Sequence, residues 1–408
     1  MGKSLAVSPL APAAFPDLPV IAGVTFATAA AGVKYQGRTD VMLALLAPGT
    51  AMAGAFTRSA TRAAPVLDCQ AKLGGIAEEG AAILVNSGNA NAFTGQGGVD
   101  AVSAITAAVA QATGVPQARV FTSSTGVIGE PLPYNRITAA LGDLAAGQNA
   151  EGIAAAAKAI MTTDTFPKGA GAEIDVDGQK VRIAGIAKGS GMIAPDMATM
   201  LVYIFTDAKA DQVALQRMVS EHCDRTFNCI TVDSDTSTSD SLLVAATGAS
   251  GVDVSDSAAF NTALHDLMRD LAHQVVRDGE GASKFVEVTI SGAASDDDAR
   301  THAMAIANSP LIKTAVAGED PNWGRVVMAI GKSGAAADRD RLSIRFGDVE
   351  VAKDGWRSPA YSEEAAAAHM KSQEILISVD LGLGEGTATV WTCDLTHGYI
   401  EINADYRS

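Results

Sequence analysis

Aromatic residues are scarce in this 408-residue chain, at 5%, and no basic stretch interleaves with them. Acidic side chains number 46 against 30 basic ones, a formal charge of −16. A chain so balanced makes a poor partner for phosphate backbones, which call for clustered Lys and Arg. Cysteine is rare as well: Cys69, Cys223, Cys229 and Cys393 are scattered and form no Cys-x-x-Cys pair. The six histidines are equally dispersed, so no metal-ligand spacing is legible and no metal is expected. The longest uncharged apolar stretch, residues 18–33, contains Pro19 and Gly23 and falls short of the ~20 residues of a spanning helix. The N-terminal dozen residues are broken by prolines and lack a secretory layout. These absences predict a soluble cytoplasmic protein with reduced thiols, no membrane and no nucleic-acid partner.

What the chain does have is apolar mass. Hydrophobic residues make up 48% and charged ones 19%, enough for a sizeable core, and the length suggests two large units. Apolar runs at residues 41–46, 81–85, 120–122 and 200–205 read as strands, and so do 285–290, 341–346, 375–379 and 387–391. Residues 99–113, closed by Gly114 and Pro116, read as a helix, as do 139–161, 210–223 and 255–277. In the last of these Phe260, Leu264, Leu267, Met268, Leu271 and Val275 form one stripe at spacings of three and four. Residues 292–299 and 334–340 read as surface turns, and 399–408 carries strand alternation. Mixed elements without a strict βαβ rhythm predict a layered α-β-β-α sandwich with mixed sheets, an α+β arrangement.

Two glycine-rich strings fail as nucleotide sites. Gly189-Ser-Gly-Met-Ile-Ala194 loosely fits a dinucleotide fingerprint, but Pro195 and an apolar run follow where a long helix is required. Gly331-Lys-Ser333 would need a glycine where Val326 stands.

The richest segment is Lys188-Gly-Ser-Gly-Met-Ile-Ala-Pro-Asp-Met-Ala-Thr-Met-Leu201. Two glycines and a proline shape a loop that delivers Thr199 to the lip of a strand, behind the small Ala198. Were the Ala198–Thr199 bond cut, Thr199 would gain an α-amino group beside its hydroxyl, one way to activate a threonine nucleophile. Its bland alternative is a strand-edge threonine. Thr125 and Gly126 follow a strand and could offer oxyanion donors or form a plain tight turn. Lys188 could bind a carboxylate or be a solvated loop lysine. The cluster Thr162-Thr-Asp-Thr165 supplies short donors, or simply ends a helix. Glu280, framed by Gly279 and Gly281, would suit an ammonium, although acids on helix-end loops are commonly hydrated. Asn403 and Ser408 are polar ends of the last segment.

Taken together, these strings resemble the ornithine acetyltransferases, also called glutamate N-acetyltransferases. The strings are Asn86-Ser-Gly-Asn-Ala-Asn-Ala, Ser124-Thr-Gly-Val-Ile-Gly, Met161-Thr-Thr-Asp-Thr and the Lys188–Leu201 run. Further on come Val232-Asp-x-Asp-Thr-Ser-Thr, Asp278-Gly-Glu-Gly-Ala-Ser-Lys, Gly318-Glu-Asp-Pro-Asn-Trp-Gly-Arg and Asn403-Ala-x-Tyr-Arg. The resemblance implies a precursor that cuts itself between Ala198 and Thr199 into fragments 1–198 and 199–408, which stay together as a heterotetramer of two of each. It implies Thr199 as nucleophile, Thr125 and Gly126 as oxyanion hole, and Thr162, Lys188, Thr199, Glu280, Asn403 and Ser408 as amino-acid site. N-acetylornithine and glutamate would be the substrates, with acetyl-CoA open as a second donor and no cofactor. Ser408, Ser239 and Asp196 depart from the threonine, asparagine and asparagine usual in that family. Two rivals stand beside this reading: a self-processing amidase or aminopeptidase passing the acyl group to water, and a non-catalytic amino-acid-binding protein.

Overall fold

Among the described residues, successive side chains along nine strands of the larger of two units point to opposite faces, and the inward sets pack two sheets face to face. The computed structural model describes residues 6–75, 78–194 and 200–404. The larger unit is Pro12–Asn228 with Asp235–Val275; the smaller is Met1–Ala11 with Cys229–Ser234 and Val276–Ser408.

The strands of the larger unit are β1 (Val24–Ala29), β2 (Val41–Leu46), β3 (Ala51–Phe56), β4 (Ala81–Asn89), β5 (Val120–Val127), β6 (Lys168–Val176), β7 (Gln179–Lys188), β8 (Leu201–Thr206) and β9 (Ser241–Ala246). One sheet runs β1-β2-β4-β5 and the other β3-β9-β8-β7-β6. Among the described residues of these two sheets, β4/β5 and β8/β9 pair in parallel and the other neighbours antiparallel. Met42, Ala44, Ile83, Val85 and Phe121 of the first sheet share a core with Met52, Ile186, Tyr203, Phe205 and Leu243 of the second. Phe26 meets Phe205 across it edge to face, with centroids 5.1 Å apart at 84°.

The intervening residues face helices. Val41, Leu43, Ala82, Leu84 and Val120 pack against Ala101, Ile105 and Val109. The helices of this unit are α1 (Ala64–Lys72), α2 (Gly95–Thr113), α3 (Tyr134–Ala139), α4 (Leu141–Ala146), α5 (Ile153–Ala159), α6 (Gln212–Arg225) and α7 (Ala258–Arg277). Gln216 of α6 both donates to and accepts from the Gly54 backbone of β3. A Cβ at Gly185 of β7 would touch Leu267 and Leu271 of α7 at 3.0–3.1 Å. Helices therefore cover the outer face of each sheet, the expected α-β-β-α layering.

The smaller unit holds one mixed sheet, ordered β13-β12-β11-β14-β10-β15. Its strands are β10 (Phe285–Ala293), β11 (Ser343–Phe346), β12 (Val349–Lys353), β13 (Trp356–Arg357), β14 (Glu374–Asp380) and β15 (Gly386–Cys393). Its helices are α8 (Asp296–Ala307), α9 (Pro310–Ala317), α10 (Trp323–Gly331), α11 (Glu363–Met370) and α12 (His397–Asn403).

Several expectations need correction. Residues 292–299 are not all surface turn, because α8 starts at Asp296. Ser295 accepts from the Asp298 N–H, and three aspartates in the first turn suit the helix dipole. The buried side of α8 is mostly alanine, so its stripe is faint in sequence. Residues 399–403 are helix rather than strand, capped by the Thr396 side chain. The helix read over 139–161 is two short ones, parted at Gly147–Gly152, where Asn149 bridges to Phe26.

Thr125 and Gly126 lie within β5 itself and not in a turn beyond it. Gly126 adopts φ +131°, and a Cβ there would sit 2.3 Å from the Gly88 carbonyl carbon. Gly126→Ala is expected to lose more than about 2 kcal/mol in denaturant titration. Gly178→Ala, at φ +81° in open space, should lose only about 1 kcal/mol.

Candidate active site

Four strand termini converge at one end of the five-stranded sheet. Lys168, opening β6, pairs with Ala187; Lys188, closing β7, pairs with Leu201; and Leu201 pairs with Ser241. This end carries two lysines and, through residues just outside the strands, Met200 and Asp240.

Both lysines are buried, with Lys188 2% exposed and Lys168 fully covered. Asp164, on the segment between α5 and β6, makes that burial tolerable. Its Oδ1 accepts from Lys168 Nζ at 2.6 Å and from the Gly189 N–H at 2.6 Å. Its Oδ2 accepts from the Thr162 N–H at 2.9 Å and lies 4.0 Å from Lys188 Nζ. Burial pushes the carboxyl up, but the two lysines and these hydrogen bonds outweigh it and hold Asp164 well below the usual carboxylate range.

Lys188 also reaches Thr125, donating from Nζ to Oγ1 at 3.5 Å, and Thr125 is itself buried. The end of β5 is fixed against β4 by a polar string. Ser124 donates to the Asn86 side chain at 2.7 Å, and Asn86 donates to the Asn89 carbonyl at 2.9 Å. Among the clustered threonines, Thr162 contributes its N–H to Asp164, while the Thr163 hydroxyl shares a hydrogen bond with Ser190 at 2.8 Å. Asp240 is buried too, and its Oδ1 accepts the Met200 N–H at 3.0 Å. Burial raises its carboxyl well above the ordinary value against the pull of that N–H and of Lys188.

The smaller unit gathers a second group. Glu280 is 8% exposed, and its Oε2 accepts from Asn403 Nδ2 at 2.7 Å. Asn403 also donates to the Tyr399 carbonyl, and the Tyr399 hydroxyl donates to Asp233 at 3.2 Å. Gly281 permits this approach, since a Cβ there would stand 2.4 Å from the Tyr399 nitrogen.

The structure thus brings together Thr125, Gly126 and Lys188, with Thr162 joined through Asp164, and separately Glu280 with Asn403. Lys188 is no solvated loop lysine and Glu280 no hydrated helix-end acid. Ala198, Thr199 and Ser408 lie outside the described residues. Sequence reasoning passed over Asp164, Lys168 and Asp240. Asp164 stood inside the quoted Thr162–Thr165 string, whereas Asp240 carried no local signal. Among the described residues no group of three or more His, Cys, Asp or Glu could hold a metal ion, and no helix is long and apolar enough to cross a membrane.

Asp164→Asn would leave two buried ammonium groups with a neutral partner, so a loss of about 3–5 kcal/mol is expected in denaturant titration. The folded-state pKa is lowered, so this contribution is complete above the unfolded value of about 3.9 and fades as pH falls below it. The stability gap between wild type and variant should therefore narrow with acidification below about pH 4.

Comparison with known proteins gives consistent matches. The ArgJ family matches residues 25–408. A protein of Ruegeria pomeroyi named arginine biosynthesis bifunctional protein ArgJ is 70% identical over 100% of this chain and 100% of its own. One of the same name from Gluconobacter oxydans is 56% identical, over 100% of this chain and 97% of its own. The crystal structure of a Bacillus halodurans protein of that name is 41% identical over 50% of this chain and 98% of its own, with a TM-score of 0.49.

Proposed function

Because the chain belongs to the ArgJ family, we propose that it is an acyltransferase of arginine biosynthesis, carrying acetyl from N2-acetylornithine to glutamate. The name bifunctional, shared by its relatives, supports acetyl-CoA as a second donor to glutamate. The observation that carries the reading on the structural side is the buried Lys188 ammonium set against the Thr125 hydroxyl. A donor polarised in a water-excluded site is what a developing oxyanion requires.

Maturation begins with the Thr199 hydroxyl attacking the Ala198 carbonyl. The C–O bond forms, the C–N bond breaks, and the hydroxyl proton passes to the departing nitrogen. Water then hydrolyses the ester, leaving fragments 1–198 and 199–408 and a free α-amino group on Thr199. Such amines titrate near 7.7–8.0, well matched to general-base work at neutral pH. In turnover the amine takes the Thr199 hydroxyl proton as the oxygen attacks the acetyl amide. Ornithine leaves with that proton, and glutamate's amine then attacks the acetyl-threonine ester.

Thr125 Oγ and the Gly126 N–H are proposed as the oxyanion hole, and Lys188 as the partner of the substrate α-carboxylate. By family likeness Thr162, Glu280, Asn403 and Ser408 are proposed as further amino-acid-binding residues. The two fragments, associated as a heterotetramer in the cytoplasm, complete the proposal. A hydrolase using the same threonine is less favoured, because it would need water to outcompete an amine that the family's arginine-pathway role supplies.

Intact mass spectrometry tests the reaction. Wild type should give two chains, and N-acetylornithine should add one acetyl group to the second; Thr199→Ala should remain a single, unacetylated chain. Acetate release without acetylglutamate would replace transferase by hydrolase. Lys188→Met should raise KM for both amino acids roughly 10-fold or more, the cost of one charge-assisted hydrogen bond. An unchanged KM in steady-state assays would remove Lys188 from the carboxylate.

A further inference from the structure

Residues 30–40 link β1 to β2 and run past the end of the four-stranded sheet. Asp40 shapes this link: its Oδ1 accepts the Ala31 N–H at 2.7 Å and its Oδ2 the Val33 N–H at 2.6 Å. Lys34 then packs on β4, where a Cβ at Gly88 would stand 2.9 Å from the Lys34 Cβ. Gly88 is the register partner of Gly126. Four residues on, the Arg38 guanidinium donates to the Met161 and Thr162 carbonyls. One short link thus touches both the neighbour of Gly126 and the residues that lead into Asp164.

The same link gathers cations in a chain that is acidic overall. Lys34 and Arg38 lie on it, and Arg136 of α3 donates to the Gly32 carbonyl. Among the described residues, Arg38 and Arg136 are held by backbone carbonyls and by no carboxylate. Carbonyls fix a guanidinium without cancelling its charge, and its fork has further N–H donors to offer an anion. Residues 30–40 and 128–136 hold two acids, Glu130 and the buried Asp40, whose oxygens are engaged by the link's own amides. Beside these charges Tyr35 is 46% exposed, with the Lys34 ammonium 4.9 Å from its ring centroid. An exposed aromatic next to fixed cations suits a ligand that carries a base together with phosphates.

We propose that this rim binds the nucleotide end of acetyl-CoA, with Lys34, Arg38 and Arg136 on its phosphates and Tyr35 stacked on its adenine. The proposal rests on the reading of acetyl-CoA as a second donor to glutamate. Phosphate charges are costly to bury, so they stay at the rim while the flexible pantetheine arm carries the acetyl group inward. N-acetylornithine has neither phosphate nor base. The rim therefore serves one donor and not the other.

Steady-state acetylglutamate synthesis by the full chain, measured with each donor in turn, tests this. Lys34→Gln keeps the Cβ that packs on Gly88 and removes the charge. It should raise KM for acetyl-CoA roughly fivefold or more and leave KM for N-acetylornithine within about twofold. Lys34→Arg should bring KM for acetyl-CoA back to within about twofold of wild type. Tyr35→Ala should raise KM for acetyl-CoA alone, again roughly fivefold, whereas Tyr35→Phe keeps the ring and should not. Turnover of N-acetylornithine shows in each variant that the fold is intact. An unchanged KM for acetyl-CoA in Lys34→Gln overturns the rim site, and so does an equal loss with both donors. A wild type that uses N-acetylornithine but not acetyl-CoA removes the second-donor reading and the site with it. A wild type that uses both, matched by Lys34→Gln on both, removes the site alone.

Discussion

Asp164 lies between two lysines buried inside the larger unit and offsets the cost of burying them. Without that carboxylate, Lys168 and Lys188 would each lose an opposite charge that offsets the desolvation cost of burial. With it, one negative group faces two positive ones, and Asp240, the other buried acid at this end of the sheet, is held toward its neutral form. The Lys188 ammonium thus stands in a place where field lines are weakly screened. Such a place favours whatever becomes negative there, be it a carboxylate or a tetrahedral oxygen.

Strand ends supply nearly all the chemistry-bearing groups of that unit. Thr125 and Gly126 are near the end of β5, Lys168 opens β6, Lys188 closes β7, and Asp240 immediately precedes β9. Side chains there inherit the rigidity of two packed sheets while their backbones escape the ladder enough to vary. Gly126 shows the limit of that freedom: its backbone comes so near to Gly88 that no side chain fits between. The site is precise because the sheets beneath it are.

Much of this was legible beforehand, for reasons that differ from element to element. The strand at Leu201–Thr206 was plain because it is buried on both faces and reads as an unbroken apolar run. The stripe on α7 was plain because twenty residues give periodicity room to show. By contrast α8 hides behind alanines, and α12 owes its start to a threonine cap within a short segment of mixed polarity. Thr125 and Gly126 were singled out but placed beyond their strand, because that strand pairs in parallel with residues nearly forty positions away, a contact no local pattern encodes. Asp164 and Asp240 are single aspartates among many; only three-dimensional neighbours distinguish them from solvated ones.

The link between β7 and β8 joins antiparallel neighbours whose pairing runs from Ile183 with Thr206 to Lys188 with Leu201. Severing that link would leave the rungs from Ile183 with Thr206 to Lys188 with Leu201 in place. Nothing in the topology then obliges the two halves to be born as one polypeptide, and separate translation would serve. The reverse journey differs. A molecule nicked there would have to find its other half by diffusion after melting, so its recovery would depend on concentration while that of an uncut chain would not.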